Sequence, residues 1–212
     1  FNVGDQYVSK SKKFGYWRDT HLRLEGSSVH PLHTRFLLDW NQASDRNDLQ
    51  YEDHFFPIIS RKGEDGLQIV SSGPDSDWEQ IKNGYLKLIN MAKKYIYIQT
   101  PYFIPDDSFM DAVRIACLSG IDVRIMIPNK PDHMFVYWAT YSYVGELIRA
   151  GARIYIYDNG FLHTKMIVID DEASTVGTAN IDSRSFKLNF EVNAFIYDRN
   201  VSHQLAELFE RD

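Results

Sequence analysis

From Gln68 onward, short apolar runs alternate with segments that repeat apolar residues every three or four positions. Residues 67–70 read as a strand. A helix follows Ser76 and carries Trp78, Ile81, Tyr85, Leu88, Ile89 and Ala92 on one face. Residues 95–99 form the next strand, and Pro101 and Pro105 break the chain before a helix that opens near Asp107 and stops at Gly120. The pattern continues with a strand at 122–127, a helix at 135–150 and a strand at 153–157. After Gly160 the spacing shortens: 165–169, 174–176 and 191–197 are strands with few residues between them, and a last helix runs from about Val201. Strands alternating with helices predict an α/β fold with helices packed over a largely parallel or mixed sheet.

The first part of the chain is patterned differently. Residues 19–25 alternate as a strand would, 29–40 have helical spacing, and 41–66 are polar and acidic without a period, as expected of a linker or long surface loop. There is also a weak internal repeat. FNVGDQYVSKSKKFGYWRDTHLRLEG at the start and ANIDSRSFKLNFEVNAFIYD near the end each hold an Asn-hydrophobic pair, an aromatic-rich turn, an acidic residue (Asp19 or Glu191), then a strand and a helix. In this alignment Asn2 falls opposite Asn180.

The chemistry concentrates in FLHTKMIVIDDEASTVGTANIDSRSF. Strand parity puts His163 and Lys165 on one face and Asp170 on the other, where it orients or braces from behind. An imidazole beside an ammonium suits a phosphate ester: one attacks or moves a proton, the other neutralises oxygen charge. Gly177 allows a close turn, and the Asn180 amide can donate to phosphate. Glu191 is expected to fix the His163 tautomer, and Asp19 to do the same for a histidine upstream of the chain. No His/Cys/Asp/Glu cluster has metal-ligand spacing, so neither metal nor other cofactor is expected.

Composition narrows the classes. With 212 residues, 44% of them hydrophobic, the chain can bury a core, and no apolar run approaches membrane-spanning length. A net charge of −6 argues against general nucleic-acid binding. Cys117 is the lone cysteine; it shares helical spacing with Phe109, Val113 and Ala116 and is expected to be buried. Lys10, Lys12 and Lys13 interleave with Phe14, Tyr16 and Trp17, which suits either an anionic membrane interface or a solvated loop.

His163-x-Lys165-x-x-x-x-Asp170, followed by Gly177-Thr178-x-Asn180, resembles the signature of the phospholipase D superfamily. SSGPDSDWEQI, YIYIQTPYFIPDD, IMIPNKPDH, NFEVNAFIYD and GYWRDTHLRLEG resemble bacterial cardiolipin synthases, so the likeness covers nearly the whole chain. The resemblance implies a pseudo-dimer of two halves, each a mixed sheet with helices on both faces and each giving one His-Lys-Asp set to a shared site. It implies metal-free phosphatidyl transfer from one phosphatidylglycerol to another through a phosphohistidine, giving cardiolipin and glycerol at a bacterial cell membrane.

This chain holds one such set. Residues 1–45 are therefore expected to be the end of a first half, 46–66 a linker and 67–212 the second half, with the partner half and any membrane segments elsewhere in a longer polypeptide. Alone, the chain is expected to have little or no transferase activity. Tyr102, Lys130, His133, Arg184 and Ser185 are candidate substrate contacts, each also compatible with packing or an ordinary loop. Two other functions fit the same residues: a homodimeric phosphodiesterase or nuclease with one motif per chain, and a non-catalytic module that binds anionic lipid.

Overall fold

The computed structural model describes the chain except residues 1–3, 11, 47, 60–62 and 130–133, together with the side chains of Gln6 and Met134. In chain order the elements are β1 (Trp17–Arg18), α1 (Val29–Ala43), β2 (Leu67–Ser72), α2 (Gln80–Met91), β3 (Tyr95–Gln99) and β4 (Phe103–Ile104). Then come α3 (Asp107–Leu118), β5 (Asp122–Pro128), α4 (Met134–Ala150), β6 (Arg153–Tyr157), β7 (Phe161–Leu162) and β8 (Met166–Ile169). The chain ends with β9 (Ala173–Gly177), β10 (Ile181–Asp182), α5 (Ser183–Lys187), β11 (Glu191–Ile196) and α6 (Arg199–Arg211).

Among the described residues, seven strands join in one mixed sheet of order β2-β11-β9-β8-β3-β5-β6. β3, β5 and β6 run parallel, and the remaining neighbours are antiparallel. The parallel part follows from its connections: α3 and α4 are long enough to carry the chain back to the same edge. In the antiparallel part only β8 and β9 are joined by a short link; β3–β8 and β2–β11 pair strands far apart in sequence. α2, α3 and α4 cover one face around Ile81, Phe109, Val144 and Leu147. α6 covers the other through Leu205, Ala206 and Phe209. Aspartates start three helices: Asp106, Asp182 and Asp198 accept from the amides of Phe109 (3.1 Å), Ser185 (2.7 Å) and Val201 (2.8 Å). Cys117 is buried in the α3 packing surface, and burial pushes its thiol pKa up.

Residues 19–25 do not form the expected strand. Only Trp17 and Arg18 pair, in parallel with Phe161 and Leu162. The alternation of Leu22 and Leu24 is real, but those residues line a groove instead of facing a neighbouring strand. α1 has no buried residue and runs three residues beyond the expected end. Asp170 has a left-handed φ of 56°, and its carboxylate accepts from the amides of Lys93 (2.7 Å), Lys94 (2.9 Å) and Tyr95 (2.8 Å). It therefore fixes the start of β3 against the end of β8.

α2 meets β11 at Gly84, where an added Cβ would sit 2.4 Å from the Phe195 ring. Alanine would gain up to about 1 kcal/mol in helix propensity. Overpacking a filled core costs about 1–3 kcal/mol, and Phe195 is itself buried. Gly84→Ala should therefore lower stability by about 1–2 kcal/mol, read from the urea midpoint; a stabilised variant would refute the close packing.

Candidate active site

β3 and β5 end at one edge of the sheet, and the chain returns to that edge along β7 before entering β8. His163, Thr164 and Lys165 lie on that return, with Met166 paired to Gln99 at the end of β3. The His163 amide donates to the Arg18 carbonyl (2.8 Å), so β1 is laced directly onto the motif. Trp17 and Tyr7 pack near the imidazole, with ring centroids 5.1 Å and 6.1 Å away.

The imidazole bridges two opposite charges. Its Nδ1 lies 2.8 Å from Asp19 Oδ2, and its Nε2 lies 3.0 Å from Lys165 Nζ. A carboxylate only accepts, so Nδ1 carries the proton and Nε2 presents its lone pair toward Lys165 and the groove. Lys165 also donates to the His163 carbonyl at 2.6 Å. Burial pushes the Asp19 carboxyl up, but the hydrogen bond from His163 and the nearby charges of His163 and Lys165 outweigh it and hold the group below the usual range. Burial lowers Lys165 to about 8, against the raising effect of Asp19, Glu191 and Asp182.

The pair opens into a groove of about 570 Å³. Its lining is polar at Asp19, His163, Lys165, Asn180 and Glu191 and apolar at Leu22, Leu24, Leu32, Ile69 and Val176. Gly177 permits this shape: an added Cβ would lie 2.2 Å from Asn193 Oδ1. Asn193 also donates to Tyr85 (2.9 Å) and Thr175 (3.1 Å), a buried network that supports the loop carrying Asn180. Among the described residues the Asn180 side-chain oxygen is buried with no hydrogen-bond donor, an acceptor that a hydroxyl or water could satisfy.

Several expected positions are corrected. Glu191 does not hold His163. It accepts from the Thr178 hydroxyl and from Asn189 Nδ2 (3.2 Å). β9 lies between β11 and β8, which separates them by roughly 10 Å. Asp19, assigned to a different histidine, is the residue that reaches His163. Asp170 is about five residues along the strand from Lys165, roughly 16 Å away, and braces the backbone outside the groove. Ser185 is buried and its hydroxyl accepts from the Asn180 amide (3.2 Å), so it shapes the loop. Arg184 is exposed on α5, and neither it nor Tyr102 lines the groove. Asn2, Lys130 and His133 lie outside the described residues.

One anchoring group was not foreseen. Arg18 Nε donates to both oxygens of Asp212 (3.0 and 2.9 Å), and its Nη1 donates to the Asp19 carbonyl (2.5 Å) and to Thr20 Oγ1 (3.2 Å). Gln99 Nε2 donates to the same Asp212 carboxylate (2.9 Å). The strand that presents Asp19 is thereby fastened to β3 and to the chain end after α6. A glutamine closing the apolar run YIYIQ was the available signal, since a buried amide needs partners.

Two outcomes follow. Arg18→Met leaves the buried Asp212 carboxylate without its cation and should cost about 3–5 kcal/mol in denaturant unfolding, with Arg18→Lys recovering part of it. Lys165 has a folded pKa below its ordinary 10.5, so its contribution to stability rises as pH climbs from about 8 toward that value. The charge it offers an anion falls over the same range. Sulfate binding, measured by calorimetry, should weaken as pH rises through about 8, and Lys165→Met should bind weakly throughout and lack that step.

Residues 85–212 match the family model described as "Cardiolipin synthase, PLD-like domain". The whole chain is 66% identical to the major cardiolipin synthase ClsA of Bacillus subtilis and 60% identical to a cardiolipin synthase of Listeria welshimeri, spanning 44% of each. The chain thus covers less than half the length of these relatives. Among solved structures it is similar to Nuc, a phospholipase D family member from Salmonella typhimurium, with a TM-score of 0.58 and 21% identity over 70% of this chain and 93% of that one. NucT from Helicobacter pylori gives 0.56 at 17% identity, over 69% of this chain and 95% of that one. The structural likeness supports the fold alone, and the sequence matches set the membership: this chain belongs to the phospholipase D-like family of cardiolipin synthase domains.

Proposed function

We propose that the polypeptide to which this chain belongs transfers a phosphatidyl group between two phosphatidylglycerol molecules, giving cardiolipin and glycerol. The observation that carries this reading is the imidazole held between Asp19 and Lys165 in a groove lined by both polar and apolar residues. A phosphodiester with acyl chains matches both kinds of lining. Lys165 and Asn180 would meet the phosphate oxygens, and Leu22, Leu24 and Val176 would meet apolar parts of the lipid.

In this reading His163 shares the work with a counterpart histidine from a preceding half. One imidazole attacks phosphorus and forms a P–N bond; the glycerol oxygen leaves with a proton from the other imidazole. The hydroxyl of a second phosphatidylglycerol then gives its proton to that imidazole, attacks phosphorus and breaks the P–N bond. Residues 1–45 are read as the end of that first half, 46–66 as a linker and 67–212 as the second half. The acid from the first part reaches the histidine of the second. The repeat then assigns Glu191, on the same groove, to the counterpart histidine. The reacting charges are met by Lys165, Asn180 and their counterparts, so turnover is expected without a metal. Residues 9–17, at the same sheet end, would face the anionic membrane surface.

The test is the full-length protein with phosphatidylglycerol, followed by thin-layer chromatography. Cardiolipin and glycerol should appear in equal amounts and persist in chelator. His163→Ala should lower turnover by at least about a thousandfold, because such groups act as a unit. The 212-residue chain alone should turn over far more slowly. Nucleic-acid cleavage without cardiolipin formation would overturn the reading in favour of a single-motif phosphodiesterase, and binding of phosphatidylglycerol without any turnover would favour a lipid-binding module.

A further inference from the structure

We propose that the outward face of the first three turns of α4 docks on an anionic phospholipid bilayer. This deepens the function proposed above and rests on it, because it concerns how the same groove reaches a lipid substrate.

α4 breaks the usual rule for a surface helix. Its first twelve residues, MFVYWATYSYVG, carry no charge. A helix on a protein surface normally shows charged residues on its outer side, and one that is apolar all round is normally buried. The inner side here is buried: Thr140, Val144 and Leu147 pack on the sheet, and Thr140 Oγ1 accepts from the Phe103 amide at 3.3 Å. The outer side is not. Phe135 is 83% exposed, Trp138 59% and Tyr141 38%. Phe135 and Trp138 stack edge to face, 5.8 Å between centroids. The helix's first charge is Glu146, which pairs with Arg114.

Topology places this face at the reacting end of the molecule. α4 begins just after β5 ends at Pro128, and β5 is parallel to β3. The end of β3, Gln99, pairs with Met166, the residue after Lys165. The apolar start of α4 and the His163–Lys165 pair therefore occupy the same edge of the sheet. So does the lysine-bearing segment before β1, since Tyr16 accepts from the Phe161 amide (2.8 Å) and β1 lies on β7. Lys10 and Lys12 are exposed there, as is Tyr16.

The chemistry of this rim identifies its occupant. Tryptophan and tyrosine combine an apolar body with a polar tip and settle where hydrocarbon meets headgroups. An uncharged aromatic patch can enter that layer without burying a charge, while lysines at the same end meet anionic headgroups. Among the described residues no helix is long and apolar enough to cross a membrane, so α4 would lie on the bilayer instead of spanning it.

The test compares the chain with its Phe135→Ser/Trp138→Ser variant by co-sedimentation with vesicles of phosphatidylglycerol and phosphatidylcholine. Both side chains are exposed, so circular dichroism and melting temperature should not change. Partitioning should fall by about tenfold or more, and a Lys10→Glu/Lys12→Glu variant should lose the preference for phosphatidylglycerol. In the full-length protein the double aromatic variant should lower the ratio of turnover on vesicles to turnover on monomeric dihexanoyl phosphatidylglycerol by a similar factor. Unchanged partitioning would overturn the docking face. So would a lipid-free dimer that the aromatic variant dissociates, which would make the face a contact between copies. A wild-type protein that partitions but turns over neither substrate would count against the proposed function and leave the docking result standing.

Discussion

The site depends on one contact across 144 residues of sequence, the hydrogen bond between His163 Nδ1 and the Asp19 carboxylate. It determines which imidazole nitrogen faces the groove, and it keeps Asp19 ionised despite partial burial. Asp19 lies on irregular backbone, where a side chain is poorly placed by local structure alone. The Arg18 guanidinium supplies what the backbone does not. It holds the Asp19 carbonyl with one nitrogen and the Asp212 carboxylate with another. Asp212 is in turn fixed by Gln99 at the end of β3. The orientation of His163 thus rests on a strand buried from Ile96 to Gln99.

Around this contact the fold separates two kinds of burial. The α2–α3–α4 side of the sheet encloses an apolar core that also holds a polar network, Tyr85–Asn193–Thr175. That network has a local purpose, since it supports the glycine-containing loop that ends in Asn180. The reacting edge instead keeps an ammonium out of water. Carboxylates of Asp19, Glu191 and Asp182 offset only part of that cost, because burial still lowers Lys165 to about 8. An arriving phosphate would supply the missing negative charge, so binding an anion and protonating Lys165 must favour each other.

Much of the fold was legible because its strands are short apolar runs between strong punctuation. The strands at 95–99 and 153–157 appear with the expected limits, and within the seven-stranded sheet the change of rhythm after Gly160 marks the change from parallel to antiparallel pairing. Two-residue strands such as β4, β7 and β10 carry no period and could not be read. Residues 19–25 misled for a physical reason: a groove wall and a half-buried strand require the same alternation. The motif itself was legible as a set of residue types. Which acid serves which histidine was not, because an internal repeat equates Asp19 with Glu191 without saying whether each acts within its own half or across to the other. Strand order bears on it, since β9 between β8 and β11 keeps Glu191 away from His163, and the acid in contact with His163 is Asp19. The Arg18–Asp212 pair spans 194 residues and had no local signature.

An acid that reaches across has a consequence for how such a site responds to change. If each histidine were held by an acid of its own half, each half could keep its imidazole oriented alone, and the two would meet only at the substrate. Here the acid that orients His163 comes from the segment proposed to end the preceding half. Any shift of that segment therefore moves the Nδ1 acceptor, the polar lining of the groove and the Trp17 ring together. Under the two-half reading, docking of the halves and readiness of the imidazoles become a single event, and a loosened interface would leave His163 present but free to turn. The buried Arg18–Asp212 pair at that junction fits this view, since separating a charged pair that lies out of water leaves an uncompensated buried charge.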